Sequence, residues 1–301
     1  MQAKSFMYQD FLLSTETAKR FYHDWAEKMP VLDYHCHIDP KEIAEDRKFE
    51  TITQVWLGGD HYKWRQMRSN GVDEAFITGR APDREKFQKW AETLAMAAGN
   101  PLYHWSHLEL RRYFGYNGYL NGETAKEVWN LCNEKLKEDS MSVRNLIRRY
   151  HVTLLCTTDD PVDDLRWHKA IAHDPGCEFQ VLPAWRPDQA MHIEKPDYAD
   201  YLKELGEAGG MTVDSFERLK DVLRCRMDHF QSCGCRAADH GLEYMPFVPA
   251  SDQEIERIFA KRLSQSGQAL TREERDRFKT AFLLFAGREY ARRGWVMQLH
   301  Y

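Results

Sequence analysis

What most constrains the fold of this chain is a set of short, unbroken apolar runs, each ending in residues suited to chemistry. Residues 31–34 lead into His35-Cys36-His37, residues 152–156 into Thr157-Thr158-Asp159-Asp160-Pro161, residues 179–185 into Arg186-Pro187-Asp188, and residues 295–299 into His300. Apolar runs of this kind, without polar alternation, read as strands covered on both faces, the habit of parallel sheets. Long stretches with helical character separate them, so the chain reads as repeated βα units. Functional residues gathered at the ends of several strands indicate a (β/α) barrel. A doubly wound sheet would alternate similarly, but no Gly-rich phosphate loop follows the first run.

Residues 41–150 break the alternation. They are rich in Trp, Arg, Glu and Lys, contain no convincing strand and are too long for one crossover helix. We read them as a helical insertion within a single barrel domain spanning residues 1–301, of which this chain carries the N-terminal part. Residues 197–236 also read as helical, and residues 251–293 as one or two charged amphipathic helices. The last run reads as a sixth strand, short of a full barrel.

Composition excludes several classes. With 43% hydrophobic and 13% aromatic residues the chain is neither disordered nor fibrous. Its 47 acidic and 42 basic residues are mixed along the sequence, which gives no reason to expect nucleic acid or a membrane surface as a partner. No apolar run approaches the roughly 18 residues that span a bilayer, and no signal-peptide core follows Met1, so a cytoplasmic location is expected. The seven cysteines are odd in number and scattered, and are read as reduced thiols.

The strongest local signal is Asp33-Tyr34-His35-Cys36-His37-Ile38-Asp39. On a strand, His35 and His37 share a face, so both imidazoles can converge on one ion while Cys36 points away. Two histidines are fewer than the three protein ligands of a usual catalytic zinc site. His240 and His300 are the candidates for the remainder. His104, His107 and Arg111 share a helical face that could bind an anion, but the pattern alone favours a surface helix with a few aromatic anchors. Tyr62, beside His61 in Gly58-Gly59-Asp60-His61-Tyr62-Lys63-Trp64-Arg65, could act in proton transfer beside a metal or cation that lowers its pKa, although surface loops often contain Gly, Asp and His without such a role. Arg186 suits two-pronged capture of a carboxylate or phosphate, with a solvated arginine after a strand as the alternative, and Asp159 and Asp160 offer paired carboxylates at a strand tip, where Asp-Asp-Pro could equally be a turn and helix cap. Cys225, His229, Cys233 and Cys235 form a competing Cys3His arrangement, for which buried free thiols are the simpler account.

Six of these segments, taken in order, carry a resemblance along the whole chain: Asp33-Tyr34-His35-Cys36-His37, Gly59-Asp60-His61-Tyr62-Lys63-Trp64-Arg65, Asn100-Pro101-Leu102-Tyr103-His104-Trp105-Ser106-His107-Leu108-Glu109-Leu110, Thr157-Thr158-Asp159-Asp160-Pro161, Trp185-Arg186-Pro187-Asp188 and Met297-Gln298-Leu299-His300. The chain resembles the uronate (glucuronate) isomerases of the amidohydrolase superfamily. The resemblance implies a distorted (β/α)8 TIM-type barrel of the metal-dependent hydrolase type. It further implies interconversion of D-glucuronate with D-fructuronate, and of D-galacturonate with D-tagaturonate, by metal-assisted proton transfer through an enediol. Carried over, His35 and His37 bind a divalent metal, expected to be zinc; His61 and Tyr62 contact the hexuronate, Tyr62 in proton transfer; and Arg186 holds the sugar acid. A homo-oligomer stays open. The runner-up is a metal-dependent hydrolase of the same superfamily. The absence of a bridging Lys or Glu at the Cys156 strand end favours a mononuclear site and the isomerase.

Overall fold

The computed structural model describes residues 6–264 and 269–301. The chain divides into two compact units: residues 1–30 with 46–151, and residues 31–45 with 152–301.

All five strands found among the described residues belong to the second unit: β1 (Val31–Asp33), β2 (Val152–Cys156), β3 (Gln180–Leu182), β4 (Ala237–Gly241) and β5 (Val296–His300). Every pairing is parallel. β2 is flanked by β1 and β3, with Leu154 opposite both Leu32 and Gln180, and β4 pairs with β5 from Ala237 opposite Val296 to Gly241 opposite His300. Single bridges from Trp185 to Asp159 and to Ala238 join the two ladders. Parallel neighbours need long crossovers, and helices supply them. Arg166–His173 links β2 to β3, Tyr198–Gly209 and Phe216–Ser232 lie between β3 and β4, and Asp252–Leu263 and Arg272–Arg293 lie between β4 and β5. The final run is thus the fifth strand among the described residues, where the sequence suggested a sixth.

Local chemistry explains the helix boundaries. Ser251 and Thr271 each form a reciprocal capping box with Glu254 and Glu274, which satisfies backbone donors that a helix start leaves unpaired. Gly294 closes the last helix at φ 68°, a left-handed conformation that glycine adopts without a Cβ penalty, and turns the chain directly into β5. The helices pack on the sheet through a core that includes Trp185, Tyr198, Phe230, Phe259, Phe278 and Tyr290. Cys156, Ala184 and Ala237 form a small apolar cluster, and β4 is buried nearly throughout, but β1 and β5 are largely exposed, so the expectation of strands covered on both faces fails for those two.

The first unit has no strand among its described residues. Its helices surround a separate core containing Trp56, Met67, Phe87, Trp90, Leu110 and Val128. The six-residue helix Ile52–Leu57 buries Ile52, Thr53, Trp56 and Leu57, a dense apolar face for so short an element. No helix of the described residues is long and apolar enough to cross a membrane.

Candidate metal centre

The ends of β1, β4 and β5 bring three side chains together. Ligand atoms of His35, Asp239 and His300 all lie within 4.8 Å of one another, and no other such group of His, Cys, Asp or Glu occurs among the described residues. Parallel pairing explains this, because Asp239 lies opposite Gln298 and Gly241 opposite His300, which puts both side chains at the same end of the ladder. Gln298 Nε2 also donates to the carbonyl of Tyr34 at 3.3 Å, drawing the end of β5 toward the end of β1. The His35 and His300 rings stand 4.5 Å apart.

Asp239 is the hub of this cluster. Its side chain has no exposed surface and accepts from Arg186 Nη1 at 2.8 Å and from His300 Nδ1 at 2.5 Å. His35 Nδ1 stands 3.8 Å from Asp239 Oδ2, and is buried without a hydrogen-bond partner. Burial lowers the His35 pKa below its usual value, outweighing the nearby Asp239 charge, so the ring is held neutral, the form that ligates metals.

Arg186 spans two carboxylates. Its Nε donates to Asp188 Oδ2 at 2.8 Å while Nη1 reaches Asp239. Burial opposes its charge, but the two carboxylates more than compensate and hold it above the ordinary arginine value. Asp188 also accepts from the Gly241 amide at 3.2 Å. A Cβ on Gly241 would stand 2.8 Å from Arg186 Nη2 and 3.1 Å from Asp188 Oδ2, so a bare backbone lets the guanidinium lie against β4. Two carboxylates and one guanidinium leave one net negative charge beside the histidines.

These donors fit a divalent ion. Donors about 2.1 Å from one ion are at most about 4.2 Å apart, so small side-chain rotations suffice. A neutral imidazole with an orphaned buried nitrogen facing a buried carboxylate is the donor chemistry such an ion needs.

The structure separates the remaining candidates. His37 follows His35 with ring centroids 5.0 Å apart, but His37 lies outside the three-residue group. His240 points the other way on β4, fully buried with Nε2 3.0 Å from the Tyr290 hydroxyl, and burial pushes its pKa down to about 4. His61 and Tyr62 open the helix His61–Ser69 in the first unit, with their rings 4.4 Å apart and Tyr62 exposed. The Asp60 carboxylate caps that helix through the Tyr62 and Lys63 amides. His107 is structural, since it contacts the Tyr103 carbonyl and accepts from the Leu120 amide. All seven cysteines are free, and Cys225, His229, Cys233 and Cys235 do not assemble into a metal-binding group. Asp239, one residue before His240, one of the two candidates for a further ligand, has no place among the sequence candidates. The available signal was the period of two: only one of two adjacent residues on β4 can face His300.

Asp159 and Asp160 do not form a paired-carboxylate site. Asp159 is buried, accepts from the Thr157 hydroxyl at 2.6 Å and the Ala184 amide at 3.2 Å, and burial raises its pKa to about 7. Asp160 instead accepts from the Tyr201 hydroxyl and the Gln189 amide.

The glucuronate isomerase family model matches residues 3–301. A uronate isomerase of Lachnospira eligens is 67% identical over 298 residues, covering 99% of this chain and 63% of that protein. One from Endomicrobium trichonymphae is 62% identical, again covering 99% of this chain and 63% of the relative. The crystal structure of a uronate isomerase from Thermotoga maritima superposes with a TM-score of 0.91 at 33% identity, covering 99% of this chain and 64% of that one. This chain thus spans about 63% of the length of the curated relatives it matches. A family match along nearly all its residues, with relatives identical at more than three positions in five, means that this chain belongs to the glucuronate isomerase family.

Proposed function

We propose that this chain serves an aldose–ketose isomerase that interconverts D-glucuronate with D-fructuronate and D-galacturonate with D-tagaturonate, in the cytoplasm, on a distorted (β/α)8 barrel into which the helical unit is inserted. The observation that carries the proposal is the convergence of His35, Asp239 and His300 beside Arg186 at the ends of parallel strands. An enediol route needs a base near C2, an electrophile for the developing oxyanion and a cation for the sugar carboxylate.

His35, Asp239 and His300 would hold a divalent ion, zinc in our reading, with His37 as a further ligand from the same strand end. Such an ion supplies Lewis-acid polarisation of a substrate oxygen. Arg186 binds the uronate carboxylate. Its guanidinium has five N–H donors, more than its bonds to Asp188 and Asp239 use. His61 contacts the sugar and Tyr62 moves the proton between C2 and C1, roles that rest on the match of their motif to the family.

The test is a coupled isomerase assay with both uronates and added Zn2+. It is run on this chain and on a fusion to the remaining segment of the Lachnospira eligens relative. Turnover that falls about a hundredfold in Tyr62→Phe is the expected result, within the usual range for a general acid–base group. Inactivity of both forms on both sugars overturns the proposal.

A further inference from the structure

Asp239 serves two masters. Oδ2, the oxygen nearer His35, is also the one that accepts from Arg186 Nη1 at 2.8 Å, and Oδ1 is taken by His300. A cation seated among His35, Asp239 and His300 therefore draws on an oxygen that Arg186 already uses. Arg186 has a second anchor: its Nε stays on Asp188 at 2.8 Å, and Asp188 is itself held by the Gly241 amide. Loss of the Asp239 bond leaves the guanidinium pinned at one edge and its Nη groups available to another carboxylate.

We propose that Arg186 and the divalent cation compete for Asp239, so that capture of a carboxylate ligand by Arg186 and capture of the cation by Asp239 favour each other. The inference builds on the metal and uronate reading above and adds a thermodynamic link between the two ligands. With Arg186 drawn onto a bound carboxylate, Asp239 gives its full negative charge to the cation. With the cation on Asp239, Arg186 lacks its internal partner and binds an outside carboxylate more strongly. Linkage requires the two effects to be equal, and couplings of this kind are typically about 5- to 150-fold. The arrangement selects for an anionic sugar, because a neutral sugar offers Arg186 nothing in exchange for Asp239.

The experiment is a Zn2+ affinity measurement by competition with a chromophoric chelator, on this chain, Arg186→Met and Arg186→Lys. It is run alone and with D-glucuronate, D-galacturonate, D-gluconate or D-glucose. Both variants are expected to bind Zn2+ about tenfold more tightly than the unaltered chain without added ligand. Lysine keeps the charge but cannot fork across two carboxylates, so a gain in Arg186→Lys separates competition for the oxygen from simple charge repulsion. Carboxylate sugars are expected to tighten Zn2+ binding in the unaltered chain and D-glucose is not, and the increment should vanish in Arg186→Met. Two properly folded variants that bind Zn2+ no more tightly than the unaltered chain overturn the competition. So does a carboxylate effect that persists undiminished in Arg186→Met. Tightening by D-gluconate but by neither uronate keeps the coupling and removes the uronate reading, so the two fail separately.

Discussion

Arg186 and Asp239 meet across 2.8 Å, joining a guanidinium whose side chain is 27% exposed to a carboxylate with no exposed surface at all. The carboxylate therefore depends on its partners for solvation, and removal of its charge is felt by the strand ends it ties together. Asp239→Asn is expected to cost about 3 kcal/mol of stability, the lower end for a broken buried pair because Arg186 keeps Asp188. Zn2+ affinity should fall at least as far as the ~100-fold seen when an outer-shell partner is lost. Urea unfolding and metal titration of the variant check both. A loss well under 1 kcal/mol would mark an ordinary surface pair.

Thr158 holds the other half of the site. Its hydroxyl donates to the carbonyl of Cys36 at 2.8 Å, which ties the backbone between His35 and His37 to the end of β2. Thr158→Val is expected to cost about 1 kcal/mol and to weaken Zn2+ binding several-fold, while Thr158→Ser restores both. Unchanged metal affinity in the valine variant would show that the tether does not orient the histidines.

The buried set Thr157, Asp159 and His168 makes a pH prediction. Thr157 Oγ1 lies 2.6 Å from Asp159 Oδ2 and 2.7 Å from His168 Nε2. Burial raises Asp159 to about 7 and lowers His168 to about 4. The Asp159 contribution to stability is full below about pH 3.9 and lost as pH rises through about 7. The His168 contribution runs the other way, full above about pH 6.5 and lost as pH falls through about 4. Asp159→Asn removes the first slope and leaves the second, so the variant should gain about 4 kcal/mol on the unaltered chain between about pH 4 and pH 8. Urea midpoints across that range decide it, and a difference independent of pH would contradict the raised Asp159 pKa.

In the helical unit, Asp60 caps the helix that begins with His61 and Tyr62 and pairs with Lys63 at 2.7 Å, whose side chain is only 8% exposed. Asp60→Ala should cost about 2–3 kcal/mol, combining a lost cap with an unpaired, largely buried ammonium. Asp60→Asn should cost less, since an amide oxygen still caps the helix. Thermal unfolding of the two variants gives the comparison, and equal losses would locate the whole effect in the charge pair.

Much of the architecture was legible in the order of residues. The runs at 31–34, 152–156, 179–185 and 295–299 read as strands and contribute β1, β2, β3 and β5, although Val31, Leu32 and Val296 stay exposed where two covering layers were expected. Ala237–Gly241 was harder to read. Ala-Ala-Asp-His-Gly carries little strand preference, and its burial on both faces leaves no apolar alternation to set its phase.

Residue order by itself therefore determined that this is an α/β chain with reactive side chains at strand ends, that His35 stands at the first of them, and that Arg186 follows the third. Only the tertiary structure decided which residue joins them. Asp239 and His240 are neighbours, and a shift of one position along β4 would exchange their places. Register against β5 set the choice, aiming the carboxylate at His35, Arg186 and His300 and sending the imidazole to the Tyr290 hydroxyl in the core. A two-residue period tells which side chains share a face, but pairing with distant strands is what gives that face its partners.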